Sequence, residues 1–270
     1  MLMLKEINQL TTYLPIGEEQ NNIYSIIKHR NIEWLCHFTP RQNLENIKKA
    51  GLKLRNHLNS NDIITDDSRF DRYCDAICLS ISKPNKWMFN KKQELGFDLC
   101  LLIINPAILY RKKCIFYPHN AATKSYRNTD LEQLIGASSL ENLFANPITY
   151  QKSGHGPQSI YRYEYLEECE TTSDQAEVQC LENIEPIYID HIIEDNIPLT
   201  YQEIYNFITQ KKLEEQRKLE QQRKLEQQRK LEQQRKLEQQ HKLEQLLETN
   251  SGCSDIFILI AIATIIIILL

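Results

Sequence analysis

Eight cysteines are scattered through this 270-residue chain, yet no two stand at Cys-x-x-Cys spacing and no histidine spacing completes a zinc set. A zinc finger or ribbon is thereby excluded, and no metal is expected. Cys78, Cys100 and Cys180 fall in apolar, strand-like runs, where a thiol behaves as a small core hydrophobe. The opening residues, Met1-Leu2-Met3-Leu4-Lys5-Glu6, lack the apolar run of a secretory signal, so a reducing cytoplasm is expected. Excess positive charge is missing too. With 32 Lys and Arg against 36 Asp and Glu, the chain has no long basic footprint for nucleic acid.

One stretch lacks positive charge altogether. Residues 164–200 hold 11 Asp and Glu and no Lys or Arg, whereas residues 1–163 hold 21 Lys and Arg against 15 Asp and Glu. The basic front is where any nucleic-acid contact would lie.

Residues 1–30 read as a helical lead-in broken at Pro15-Ile16-Gly17. Ile32 to Thr39 reads as a strand ending at Pro40, which cannot continue a ladder. Arg41 to Ala50 follows as a short helix, with Leu44, Ile47 and Ala50 on one face and Gly51 at its C-terminal cap. Further strands are expected at Ala76–Ser82, Phe97–Ile104 and Ile187–Ile189. A broken amphipathic helix is expected at Leu131–Phe144, and a flexible loop at 151–158. Short strands with few helices between them predict an α+β domain over 31–198, built on a largely antiparallel or mixed sheet.

Past Pro198 the composition changes. Arg-Lys-Leu-Glu-Gln-Gln runs four times from Arg217 to Gln240, and leucines recur every six residues from Leu213 to Leu243. On a helix each step of six turns the leucine by about 120°, so three faces share them and no coiled-coil seam forms. Each Glu has a Lys four residues on, which supports an isolated helix by about 0.2–0.5 kcal/mol per pair. The expectation for 199–249 is a stiff, solitary helix roughly 70 Å long, monomeric or weakly self-associating, with a coiled coil as the alternative. Ile256 to Leu270 is uncharged. At about 22 Å it is short for a ~30 Å hydrocarbon core, yet it reads as a C-terminal membrane anchor that leaves the folded part on the cytoplasmic side.

Gln175-Ala176-Glu177-Val178-Gln179-Cys180 alternates polar and apolar residues and so reads as a strand. Two readings stay open for it. One is an edge strand with a solvated polar face. The other is a cleft-facing strand whose single carboxylate, Glu177, steadies a developing positive charge, with Gln175 orienting a substrate.

The order of several segments resembles the DarT family of NAD-dependent DNA ADP-ribosyltransferases. They are His37-Phe38-Thr39 with Asn43, Ile47, Gly51 and Leu52; Arg69-Phe70-Asp71; Leu79 to Asn85 with Met88-Phe89; Asn120-Ala121-Ala122; and Gln175-Ala176-Glu177-Val178. The resemblance covers residues 31–195. It implies a split sheet with NAD in the cleft between two half-sheets, and transfer of ADP-ribose to a thymidine-like base in single-stranded DNA. His37, Phe38 and Thr39 would hold NAD, and Asn43 and Leu52 would line its site. Arg69 would sit beside the phosphates and incoming base, with Arg72 as the competing arginine. Glu177 would be the catalytic glutamate, with Gln175, His119 and Asn120 toward the acceptor. An ADP-ribose-removing antitoxin is the implied partner. A protein acceptor, or an inactive tethered binding module, are the alternatives.

Overall fold

The computed structural model describes residues 17–66, 69, 71–152 and 154–249. Its chain divides into two units, Met1–Tyr205 and Asn206–Leu270.

In the first unit, α1 (Glu18–His29) carries acid in its first turn and base in its last, matching the helix dipole, and buries Ile23 and Ile27 one turn apart. It realises the helical part of the lead-in; Pro15 and Ile16 lie outside the described residues. β1 (Leu35–Pro40) ends on its proline, as expected. A 3-10 turn at Arg41–Asn43 leads into α2 (Leu44–Ala50). Gly51 ends that helix with φ +75°, and a Cβ there would sit 2.0 Å from the Ile184 carbonyl oxygen. Only glycine suits this place, because Leu52 and Ile184 pair as an isolated bridge immediately beyond it.

β2 (Ile77–Ile81), α3 (Lys86–Glu94) and β3 (Leu99–Ile104) follow. Next come α4 (Ile108–Arg111), β4 (Cys114–Tyr117), α5 (Lys124–Arg127) and α6 (Gly136–Glu141). The expected flexible loop at 151–158 is instead the turn of a hairpin, β5 (Ile148–Gln151) with β6 (Pro157–Ile160). Ile148 and Tyr150 alternate inward there, and Tyr150 packs with Ile115, Tyr117 and Tyr126. β7 (Glu177–Cys180) and β8 (Ile189–Ile193) complete the unit.

Six strands form one sheet in the order β4-β7-β2-β1-β3-β8, and every pairing is antiparallel. The α+β antiparallel expectation thus holds. β7 lies between β4 and β2, so the edge-strand reading of Gln175–Cys180 is corrected. Its ladder is paired on both sides and the strand itself begins only at Glu177. β3 is buried at all six positions, each large apolar side chain adding about 1.5–3 kcal/mol by leaving water. The main core joins these strands to Ile23, Ile27, Leu140 and Leu143.

The second unit continues α7 (Tyr201–Thr249), 49 residues without a break. Its pairs form at the expected spacing, Glu220–Lys224 at 2.7 Å, Glu226–Lys230 at 2.8 Å and Glu232–Lys236 at 3.3 Å, and Leu225, Leu231 and Leu237 are exposed. No helix among the described residues is long and apolar enough to cross a membrane. The expected anchor at 256–270 lies outside them.

Candidate active site

The sheet is joined at its middle by two residue pairs only, Leu35 with Ile81 and Cys36 with Ser80. Beyond them β1 continues along β3 alone and β2 along β7 alone, so the strands part and a wedge opens. A cavity of about 670 Å³ fills it, lined by His37 to Pro40 on one side and Ala76 to Ser80 on the other. A volume of that order suits a small-molecule or cofactor site.

His37 bridges the split. Its Nδ1 lies 2.8 Å from the Cys78 carbonyl oxygen, which can only accept, so Nδ1 carries the proton and Nε2 is an acceptor. Burial lowers the His37 pKa, partly opposed by that hydrogen bond, and the ring is neutral at pH 7. Phe38 meets Phe89 edge to face at 5.4 Å. Asn43 clamps the loop over the cleft: it donates to Ile63 O at 2.9 Å and to Thr39 Oγ1 at 3.2 Å, and accepts from Ile63 N at 2.8 Å. It lines the cavity, but its amide is engaged in shaping the wall. Leu52 lines it too, with its side chain in the core.

A polar chain runs along the opposite wall. Arg69 holds Asp71 with two nitrogens, donates to Ala76 O at 2.6 Å and reaches Cys78 Sγ at 2.8 Å. Gln179, fully buried on β7, donates from Nε2 to Asp71 Oδ2 at 2.6 Å and to Glu177 Oε1 at 3.0 Å. The Ala121 N–H approaches the other Glu177 oxygen at 3.4 Å. Burial opposes the Arg69 charge, but Cys78, Asp71 and Glu177 outweigh it and raise the pKa, so the guanidinium stays protonated. Burial, with Glu177 beside it, pushes the Cys78 thiol up, which makes it a poor nucleophile.

Asp71, Cys78 and Glu177 bring ligand-type atoms within 4.8 Å of one another. The protonated Arg69 already lies against Asp71 and Cys78 and supplies the positive charge a metal would bring.

The segment before β7 is fixed at several points. Lys83 binds Glu170 at 3.0 Å and Asp174 at 2.8 Å, Ser82 Oγ donates to Cys169 O at 2.8 Å, and Thr172 N to Leu143 O at 3.0 Å. Gln175 follows, its N–H 3.2 Å from Ser173 Oγ, and lines the cavity beside Glu177.

Of the expected site residues, His37, Phe38, Thr39, Asn43, Leu52, Arg69, Asn120, Gln175 and Glu177 therefore share one cavity. His119 does not line it. It is buried, with Nδ1 at 2.8 Å from Ser173 Oγ and its ring 4.0 Å from that of Tyr150, and burial with Lys152 nearby lowers its pKa to about 4. The reason is packing, since the β5–β6 hairpin brings Tyr150 over it. Arg72 is also outside the lining, turned toward Thr129 O at 3.3 Å, so of the two arginines Arg69 faces the cleft.

Sequence reasoning gave no role to Gln179 or Asp71, although Gln179 stood on the polar side of the alternation. It also passed over Lys49 at the end of α2 and Lys53 and Arg55 just beyond it, cations that line the same cavity.

The fold and cleft define an α+β domain with a split antiparallel sheet and a carboxylate held in the split. No family model matches the chain, and none of the curated proteins does. Among solved structures, it is similar to Thermosipho africanus DarTG in complex with ADP-ribose, with TM-score 0.36 and 17% identity over 59% of this chain. The match spans 43% of that chain, and at this level of similarity it carries no argument about activity.

Proposed function

We propose that the cleft breaks the nicotinamide–ribose bond of NAD and passes ADP-ribose to a base in single-stranded DNA. The observation that carries this reading is Glu177, a carboxylate oriented by the buried Gln179 inside a cavity sized for a cofactor. When the C1′–N bond breaks, its electron pair leaves with nicotinamide and the ribose becomes oxocarbenium-like. An ionised carboxylate beside C1′ stabilises charge that appears only in the transition state. A ring nitrogen of the acceptor base then forms the new C1′–N bond and gives up its proton, for which Glu177 is the nearby acceptor. Arg69 is protonated and engaged with Asp71, so in this reading it shapes the charge of the wall and takes no proton. The neutral His37, with Nε2 as acceptor, suits a hydroxyl or amide donor of NAD. Lys49, Lys53 and Arg55 suit its diphosphate.

The DNA acceptor rests on the sequence resemblance. A protein acceptor is the second reading, favoured by the exposed Glu164 and Glu167 ahead of the catalytic strand, which repel phosphates. In this proposal residues 256–270 tether the enzyme to a membrane with the cleft on the cytoplasmic side, and an ADP-ribose-removing protein reverses its product.

The test is incubation of the full-length chain with adenylate-labelled NAD, offered single-stranded oligonucleotides or lysate protein. Label on the oligonucleotide, reduced about 10²–10³-fold in Glu177→Ala, is the expected result. Label on protein alone favours the second reading. No label and no nicotinamide release from folded protein sinks both and leaves a binding module.

A further inference from the structure

The segment after β6 carries tyrosines at alternate positions, Tyr161, Tyr163 and Tyr165, which are 67%, 61% and 76% exposed. Exposed large aromatics so closely spaced mark a contact surface, since tyrosine joins an apolar body to a polar tip. The rings of Tyr163 and Tyr165 stack with centroids 5.2 Å apart and planes 13° from parallel, on a turn closed by the Leu166 N–H to Tyr163 O at 3.3 Å.

That backbone is anchored. Arg162 donates from its guanidinium to the carbonyls of Glu167 and Glu170, each at 2.6 Å, and its N–H reaches Asn146 Oδ1 at 3.0 Å. The ladder is thus ordered before any partner arrives, which lowers the entropy cost of binding. Glu164 and Glu167 are exposed along the same segment, and no ion pair with either occurs among the described residues. The neighbouring Glu168 is already paired, with Arg30 at 3.5 Å.

We propose that this tyrosine ladder docks a Lys/Arg-rich segment of a protein partner. Cations sit favourably over tyrosine faces, and arginine also stacks on them. Glu164 and Glu167 supply the complementary sign. Single-stranded nucleic acid would find the same rings to stack on, but it needs a positive groove for its backbone. Here the phosphates would meet carboxylates, and no Lys or Arg follows from residue 164 to residue 200. The inference stands apart from the cleft chemistry, because none of these side chains lines the cavity.

The experiment is fluorescence anisotropy of the full-length chain with a short labelled peptide of alternating Arg and Gly, and with an oligothymidine of equal length. The peptide binds and the oligothymidine does not. Combined Tyr161→Ser, Tyr163→Ser and Tyr165→Ser leaves every charge in place and weakens peptide binding at least about tenfold. Its circular dichroism matches the parent because the rings are exposed. Glu164→Gln with Glu167→Gln weakens binding less and flattens its salt dependence. Failure of the parent to bind the peptide overturns the proposal, as does equal binding by the tyrosine variant. Oligothymidine binding that depends on the tyrosines overturns it in favour of a base-stacking platform.

Discussion

The two halves of the sheet use burial for different ends. In the half made of β1, β3 and β8, burial is apolar along β3: Leu99 to Ile104 are six buried residues with no polar side chain stronger than a thiol. In the half made of β2, β7 and β4, burial also encloses polar groups. Gln179 is fully hidden at the centre of β7, and its amide spans Asp71 and Glu177. Contacts along β3 are non-directional and depend on volume and close packing. The second half is held by directional bonds whose partners all matter. Both halves feed the main core, but only the second also fixes the orientation of a cleft carboxylate, Glu177.

Substitutions on either side can break that contrast. Leu102→Ala in β3 is expected to lower unfolding free energy by about 2–5 kcal/mol, read by denaturant titration, through lost burial and a cavity. Under the proposed function, NAD turnover per folded molecule should stay at the parent level. A large loss of turnover would mean that the apolar half also tunes the site.

Gln179→Met sharpens the other side. It keeps the volume but removes the donor to Asp71 and Glu177, and also a buried Oε1 that has no partner among the described residues. Turnover should fall about 10–100-fold as Glu177 loses its orientation. Stability should fall by only about 1–3 kcal/mol, since the Asp71 and Glu177 carboxylates lose a donor while an unmatched buried acceptor leaves as well. Marked destabilisation with unchanged turnover would place Gln179 on the structural side.

The smallest effect concerns pH. His119 has an ordinary value of 6.5 and a folded value of about 4. Unfolded chain takes up its proton first, so this contribution to stability is present above 6.5 and is lost as pH falls toward about 4. His37, also lowered, acts with the same sign. Melting temperature measured across that range should decline less steeply in His119→Gln than in the parent. Identical slopes would remove His119 from the acid response.

Much of the scaffold was legible because punctuation marks it. Pro40 ends β1, Gly51 ends α2 at positive φ, and the hexads announce α7. The β5–β6 hairpin was hidden because Ser153 to Pro157 look like loop and Ile148 and Tyr150 are too few to show a period. The site divided the same way. Glu177 and Gln175 could be placed by alternation, but alternation does not say whether a polar side faces water or another polar wall. For Gln179 the answer lay at Asp71, 108 residues away in sequence. Arg69 was legible as a cleft cation, whereas its engagement with Asp71, Ala76 and Cys78 depends on how the loop folds back onto β2.

The hexads of α7 have a consequence for change over time. Removing or adding one Arg-Lys-Leu-Glu-Gln-Gln unit rejoins the helix in register: each Glu still finds its Lys four residues on, as Glu220 finds Lys224. Shifts of one to five residues break that succession at the junction. The rod is therefore modular, able to drift in length by steps of about 9 Å while its chemistry at every point stays the same.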